Sequence, residues 1–438
     1  MNISILKQSE ILSKIGNIFF RLGILLLPAG FFYASIFLFI SFIVANIYET
    51  NFLRDKWNYP LLICTLLMIF ICMISNLITY DAYNSLIEKN LNWLGLLNWI
   101  PLFWAYWCSQ FYLKDIKDRK SCALFLVLGT IPVLISGFGQ YFFGWYGPIK
   151  LLNGTIIWYQ REVTNQNLQT LTGLFNNANY AGTWLAVIFP FCFFFLIQSK
   201  RKKFKKVFYL IFSIAIAFAA VLTNSRNSII NIIISFALII GLSFKTLFLV
   251  FLVIAFSFGS IFIFEIPLDF LSFFRDNKFL NGFIPGSNNF SDITSFPRVR
   301  IWETAISNII KRPLLGWGAS SFSLIYLIKN GEPTYQHTHN LFLEMANNYG
   351  IINSLILFTT ISLLMYKTKP IFYSKKIFCN FNDQLINKFW WISTLIILLM
   401  QLTDITYYDG RVSILFWILI AGIRCQLKEK THKKLSLN

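Results

Sequence analysis

The chain has 438 residues, 56% of them hydrophobic and only 13% charged, with a mean hydropathy of +0.60. A soluble chain carries about a quarter charged residues, so this one cannot wet its surface; the apolar content also excludes disorder, and seven scattered cysteines exclude a disulfide scaffold. The net charge of +19, from 38 basic and 19 acidic side chains, would suggest nucleic acid in a soluble protein, but the long apolar runs come first and predict an all-α polytopic membrane protein.

A spanning helix needs about 20 apolar residues, because no backbone polar group can go unpaired in lipid. In chain order such runs occupy 18–30, 32–48, 59–80, 93–113, 121–143, 178–198, 206–223, 228–243, 246–264, 347–366, 389–406 and 411–425. They predict about twelve transmembrane helices. Pro28 and Gly30 either divide the first two as a tight hairpin or kink one long helix. Lys7 and Lys14 precede the first run as in a signal peptide, but no small-residue cleavage site follows, so it reads as a membrane helix.

Basic residues set the orientation. With the N-terminus inside, 26 of the 38 lysines and arginines fall on inner segments, densest at Lys200–Lys206 and in the tail from Arg424 to Lys434. Both termini are therefore expected in the cytoplasm. The net charge becomes a topology signal, which removes nucleic acid as a partner. The cysteines fall in spans or inner loops, with none in the two long outer segments.

Those outer segments, 144–177 and 265–346, exceed what a connection needs, and long loops in compact proteins are often functional. The expected organisation is spans one to nine over 1–264, a partly helical external catalytic loop over 265–346, and three spans with a tail over 347–438. Within the loop, Ser295 and Pro297 can start a helix whose Val299, Trp302, Ala305, Ile306 and Ile309 form one apolar stripe. Lys311-Arg312-Pro313 ends it, and Gly316-Trp317-Gly318 turns the chain.

Next comes Gln336-His337-Thr338-His339-Asn340, holding two of the three histidines at the mouth of the tenth span. One reading is an interfacial turn with solvated imidazoles; the other is a general base, since histidine titrates near neutrality unaided. A zinc site is disfavoured, because no cysteine or further histidine is available outside to complete a tetrahedron. Arg226 occupies a tight outer link, where the basic-residue rule would not place it. It either snorkels to headgroups or forks onto a phosphate or carboxylate in a cavity. Arg298 and Arg300, at a helix N-terminus, could join it as an anion site. Asn177, Asn179 and Tyr180 open the sixth span; the asparagines either cap it or bond sugar hydroxyls.

These clusters, in this order, resemble the O-antigen ligase and polymerase superfamily of bacterial membrane glycan enzymes. The matching pieces are Asn-x-Asn-Tyr (Asn177, Asn179, Tyr180), Ser225-Arg226, and Arg-x-x-x-Trp leading to Pro-x-x-Gly-x-Gly (Arg298, Trp302, Pro313, Gly316, Gly318). His339-Asn340, followed after nine residues by Gly350, completes the set. Asn348 and Asn353 depart from the usual pattern around that glycine. The resemblance implies a GT-C-like fold and a lipid-linked donor on undecaprenyl pyrophosphate, with no nucleotide sugar, metal or cofactor. It implies His339 as the base, Arg226 and Arg298 on the pyrophosphate, and Arg300, Asn340 and His337 as support. The reaction would be inverting transfer to a glycan, lipid or protein acceptor on the periplasmic face of the cytoplasmic membrane. A polymerase joining repeat units is the alternative within the class. The segment from Leu402 to Arg411 looks like a cyanobacterial branch once associated with bicarbonate uptake, whose members often lack the histidine kept here. A solute or bicarbonate transporter is therefore the rival class, although no internal repeat supports it.

Overall fold

The computed structural model describes residues 3–48, 52, 55–77, 89–161, 170–199, 202–242, 246, 297–331, 335–370 and 382–435. Apart from Thr246, the expected ninth span lies outside the described residues, as do residues 265–296 of the long loop and Cys379.

The helices are α1 (Ile3–Leu26), α2 (Phe31–Tyr48), α3 (Tyr59–Leu77), α4 (Lys89–Gly95), α5 (Ile100–Ser109), α6 (Ile116–Phe143), α7 (Ala178–Gln198), α8 (Lys203–Leu222), α9 (Arg226–Ile239), α10 (Pro297–Lys311), α11 (Ser321–Asn330), α12 (Leu341–Thr368), α13 (Asn382–Met400) and α14 (Gly410–Leu435). The chain is an all-α polytopic membrane protein. Among the described residues, six helices are long and apolar enough to cross a membrane: α2, α6, α7, α8, α12 and most of α14. Tyr59–Ser75, Arg226–Ile239 and Leu385–Met400 are apolar but shorter.

Residues 18–48 form two helices, turning over Leu27–Gly30, the hairpin of the two alternatives. Other expectations need correction. The fourth run is not one helix: α4 passes through a 3₁₀ turn at Leu96–Asn98, Pro101 restarts the chain in α5, and a second 3₁₀ turn follows at Gln110–Leu113. The tenth expected span lies in α12, which begins at Leu341 rather than 347, and the eleventh in α13, which stops at Met400 rather than 406. Outer segment 144–177 includes a two-stranded antiparallel hairpin, β1 (Ile149–Leu151) and β2 (Ile156–Trp158), with Ile149 opposite Trp158. In α10 the buried face is Ile301, Thr304, Ala305, Asn308 and Ile309, whereas Ile306 is exposed. The stripe is rotated from the expected one because two polar residues, Thr304 and Asn308, find bonding partners inside: Asn330 donates to Thr304, and Lys329 to Asn308.

Helix α7 is central, with Trp184, Leu185, Phe191 and Phe194 fully buried against α8, α9 and α13. The bundle has two unlike ends. At one, the buried Arg119 donates to Leu113 O, Lys114 O, Asn387 and Glu429, while Arg424 and Lys428 pair with Asp55. The basic stretches at the starts of α6 and α8 and the end of α12 lie at that end. The other end gathers the α1–α2 turn, the β-hairpin, the first turns of α7, α9, α12 and α14, and the α13–α14 turn.

A clamp shapes this second end. Helix α12 breaks at Tyr349–Gly350, and the chain from Pro313 to Gly318 wraps the break. Trp317 N donates to Asn347 O at 2.7 Å, Gly318 N to Asn348 O at 3.1 Å, and Ile351 N to Pro313 O at 2.7 Å. Gly316, at φ +65, lies so close that a Cβ would sit 2.7 Å from Asn347 O. The Pro-x-x-Gly-x-Gly stretch and the glycine after His339 are thus two halves of one backbone joint.

Candidate active site

Three short polar segments meet at the second end. The first is the Gln336–Asn340 turn before α12. Asn340 caps α12 by accepting Leu343 N at 3.1 Å, and its amide donates to Leu402 O at 2.9 Å. Leu341 N donates to Gln401 O at 2.9 Å. The turn is therefore stapled to the α13–α14 connection by main-chain groups.

The second segment is that connection, Gln401–Asp409. The buried Gln401 amide organises it, accepting Thr406 N and Tyr407 N at 3.1 Å each and donating to Thr406 Oγ1 at 2.7 Å. This presents Asp404 inward. His339 Nδ1 lies 2.8 Å from Asp404 Oδ1. Asp404 Oδ1 also accepts Ile405 N at 2.9 Å, and Oδ2 accepts the Asn179 amide at 2.7 Å. His339 adopts φ +53, a left-handed backbone that costs a non-glycine residue about 1 kcal/mol and is held here by its surroundings.

The third segment is the start of α7. Asn177 is a helix cap, accepting Asn179 N at 2.7 Å. Asn179 faces Asp404, and Tyr180 turns toward a different cavity.

A cavity of about 470 Å³ opens beside these segments, lined by Asn179, Asn224, Arg226, Arg298, Tyr335, His339 and Asp404. Arg226 is the first residue of α9, anchored by its neighbour Asn227, whose amide donates to Met400 O at 3.1 Å. Arg298 stands in the first turn of α10, which Trp302 ties to the histidine turn by donating to Thr338 O at 3.1 Å. Two arginines and a histidine far apart in sequence therefore share one cavity. Arg300 does not line it; it is exposed on α10, two residues past the cavity-lining Arg298, because two helical steps turn it away.

Electrostatics follow from burial and company. Burial alone would raise the Asp404 carboxyl, but the hydrogen bond and charge of His339, with His337 and Arg298 behind it, outweigh burial and hold it below the usual carboxylate value. His337 is pushed down to about 4, first by burial and then by His339, with Asp404 pulling the other way. It is neutral at pH 7. Its Nδ1 accepts His339 N at 3.4 Å, and the two rings lie 4.5 Å apart.

Asp404 is the functional residue the sequence reading missed. Its signal was a carboxylate in an apolar chain, which by default marks a site. It also changes the ligand count, because His337, His339 and Asp404 offer ligand atoms within 4.8 Å of one another, a three-ligand set that the sequence did not reveal.

A family model described as O-antigen ligase matches residues 211–358, a region that includes Arg226, Arg298, His339 and Gly350. No curated protein matches the chain. The family match supports the O-antigen ligase and polymerase superfamily and a membrane glycan-processing enzyme of that kind.

Proposed function

We propose that this chain, with its O-antigen ligase region at 211–358, is an inverting, metal-independent membrane glycosyltransferase. It moves a glycan from undecaprenyl pyrophosphate to an acceptor hydroxyl outside the cytoplasmic membrane. One observation carries the reading: His339, with Nδ1 engaged by Asp404, shares a single cavity with Arg226 and Arg298.

The chemistry runs as follows. Asp404 accepts the Nδ1 proton, which fixes the tautomer and leaves the Nε2 lone pair for substrate. Nε2 takes the proton of the acceptor hydroxyl as its oxygen attacks the anomeric carbon. The bond from that carbon to the pyrophosphate oxygen breaks on the opposite face, inverting the centre, and the pyrophosphate leaves with the electron pair. Arg226 and Arg298 stabilise the leaving charge, the task a metal ion performs in many phosphate sites. Asp404 also stabilises the imidazolium that forms, as a positioning residue. Arg300, Asn340 and His337 shape the surroundings rather than meet the donor pyrophosphate.

The orientation has its own support. The basic helix ends cluster opposite the cavity, and basic residues favour the cytoplasmic side. This supports an orientation with both termini inside and the cavity on the periplasmic face. A ligase would take a lipid, core glycan or protein as acceptor, and a polymerase a second repeat unit. Deleting the gene and running surface polysaccharide on a gel tests the class. Lipid-linked polymer that accumulates without reaching its acceptor indicates a ligase, and a ladder reduced to one repeat indicates a polymerase. Unchanged polysaccharide with impaired carbon uptake would overturn the reading in favour of a transporter.

A further inference from the structure

A second cavity, of about 440 Å³, lies on the far side of the histidine pair, and its walls differ in kind from the first. The first is faced by Arg226 and Arg298. Among the described residues, no lysine or arginine lines the second; its polar groups include Gln336, Glu344 and Asn348, set among Trp99, Tyr180 and Tyr408. A lining without a cationic group offers phosphate no counter-charge, while its amide and carboxyl oxygens accept from hydroxyl donors. Aromatic walls with a few converging amide and carboxylate groups suit a neutral, hydroxyl-rich ring.

These polar groups are held in place. Glu344, buried, accepts Thr338 N at 3.0 Å, the Asn348 amide at 3.1 Å and the Tyr408 hydroxyl at 3.1 Å. Thr338 lies between His337 and His339, so one carboxylate sets both the cavity wall and the histidine turn. The Tyr349 hydroxyl, in a side chain only 1% exposed, has no partner among the described residues although Tyr349 lines this cavity. A buried unpaired hydroxyl is destabilising, and a ligand hydroxyl would relieve it.

We infer that the second cavity is the acceptor subsite and takes a neutral saccharide. This inference rests on the donor reading of the first cavity. His337 and His339, whose rings are 4.5 Å apart, form the boundary between the two cavities. A saccharide held by Glu344, Asn348 and Tyr408 presents its hydroxyl past the neutral His337 to His339. His339 takes the hydroxyl proton, the oxygen bonds the donor's anomeric carbon, and the bond to pyrophosphate breaks into the first cavity. The same cavity serves a polymerase or a ligase whose acceptor is a core glycan, because both acceptors present a sugar hydroxyl.

The experiment titrates full-length purified protein with a lipid-free, phosphate-free oligosaccharide cut from the producing cell's surface glycan. Undecaprenyl pyrophosphate is titrated separately. Ser323, on the surface of α11, lines the second cavity, and Ser323→Trp fills it; Tyr408→Phe removes one donor to Glu344 without changing shape. The expected result is saturable oligosaccharide binding that saturating undecaprenyl pyrophosphate does not displace, and that each substitution weakens about tenfold or more. Oligosaccharide displaced by undecaprenyl pyrophosphate would place it in the donor's own site and overturn the inference. So would wild-type affinity in both variants. Failure of undecaprenyl pyrophosphate to bind wild-type protein overturns the donor site by a separate reading, so the two failures are distinguishable.

Discussion

Asp404 Oδ1 stands 2.8 Å from His339 Nδ1 across a sequence separation of 65 residues, and the same carboxylate accepts the Asn179 amide. Three helix termini are thereby tied at one buried acid. In the mechanism proposed for this cavity, His339→Ala abolishes transfer, with a loss of about 10²- to 10⁴-fold. Asp404→Asn lowers kcat by about tenfold or more while leaving the dissociation constant for undecaprenyl pyrophosphate near wild type, because an amide no longer stabilises the imidazolium. Full transfer by purified His339→Ala protein would remove the base assigned here.

The arginines separate chelation from simple charge. Arg226→Lys and Arg298→Lys each remain clearly impaired, since lysine restores charge but not paired planar donors. The double substitution costs less than the sum of the singles, because both serve one ligand. Arg300→Lys stays near wild type, in keeping with its place outside the cavity. Added chelator leaves wild-type transfer unchanged; a loss restored by zinc would instead assign a metal to His337, His339 and Asp404. Transfer is measured with purified lipid-linked donor, and full activity in both lysine variants would return these arginines to the lipid interface.

Acid should loosen the site in a defined window. His337 titrates near 4 in the folded chain against an ordinary 6.5, so the unfolded state binds the proton more readily. Its contribution is fully present above pH 6.5 and is lost as pH falls toward 4, to a limit of about 3 kcal/mol. Asp404, held below its ordinary value, adds loss at still lower pH as it takes up its proton. Thermal unfolding in detergent at stepped pH checks this: His337→Asn should flatten the decline above pH 4, and an unchanged slope would contradict it.

Topology is measurable with impermeant thiol reagents, because the six described cysteines are buried. Ile328→Cys, at an exposed position on α11, should label in intact spheroplasts. Thr431→Cys, exposed near the end of α14, should label only after permeabilisation. The reverse pattern would invert the proposed orientation.

Composition and apolar run length were enough to read an all-α membrane protein from the sequence, because lipid leaves the backbone few alternatives to helix. Residue chemistry also singled out His339, Arg226 and Arg298, a titratable ring and two guanidinium groups on the outer segments. Periodicity could not show that the fourth run breaks, since the break sits in 3₁₀ turns with the same hydropathy as helix. Nor could it orient α10, whose buried face includes Thr304 and Asn308 because Asn330 and Lys329 reach back to pair with them. Convergence was invisible for the same reason: Arg226, Arg298, His339 and Asp404 lie on separate elements, and only packing decides which helix ends adjoin. Asp404 lay in the Leu402–Arg411 segment, but nothing local to it pointed to His339. Its role depends on a hydrogen bond from His339, and on the Gln401 amide that folds the turn presenting it, and both exist only once α12, α13 and α14 have docked.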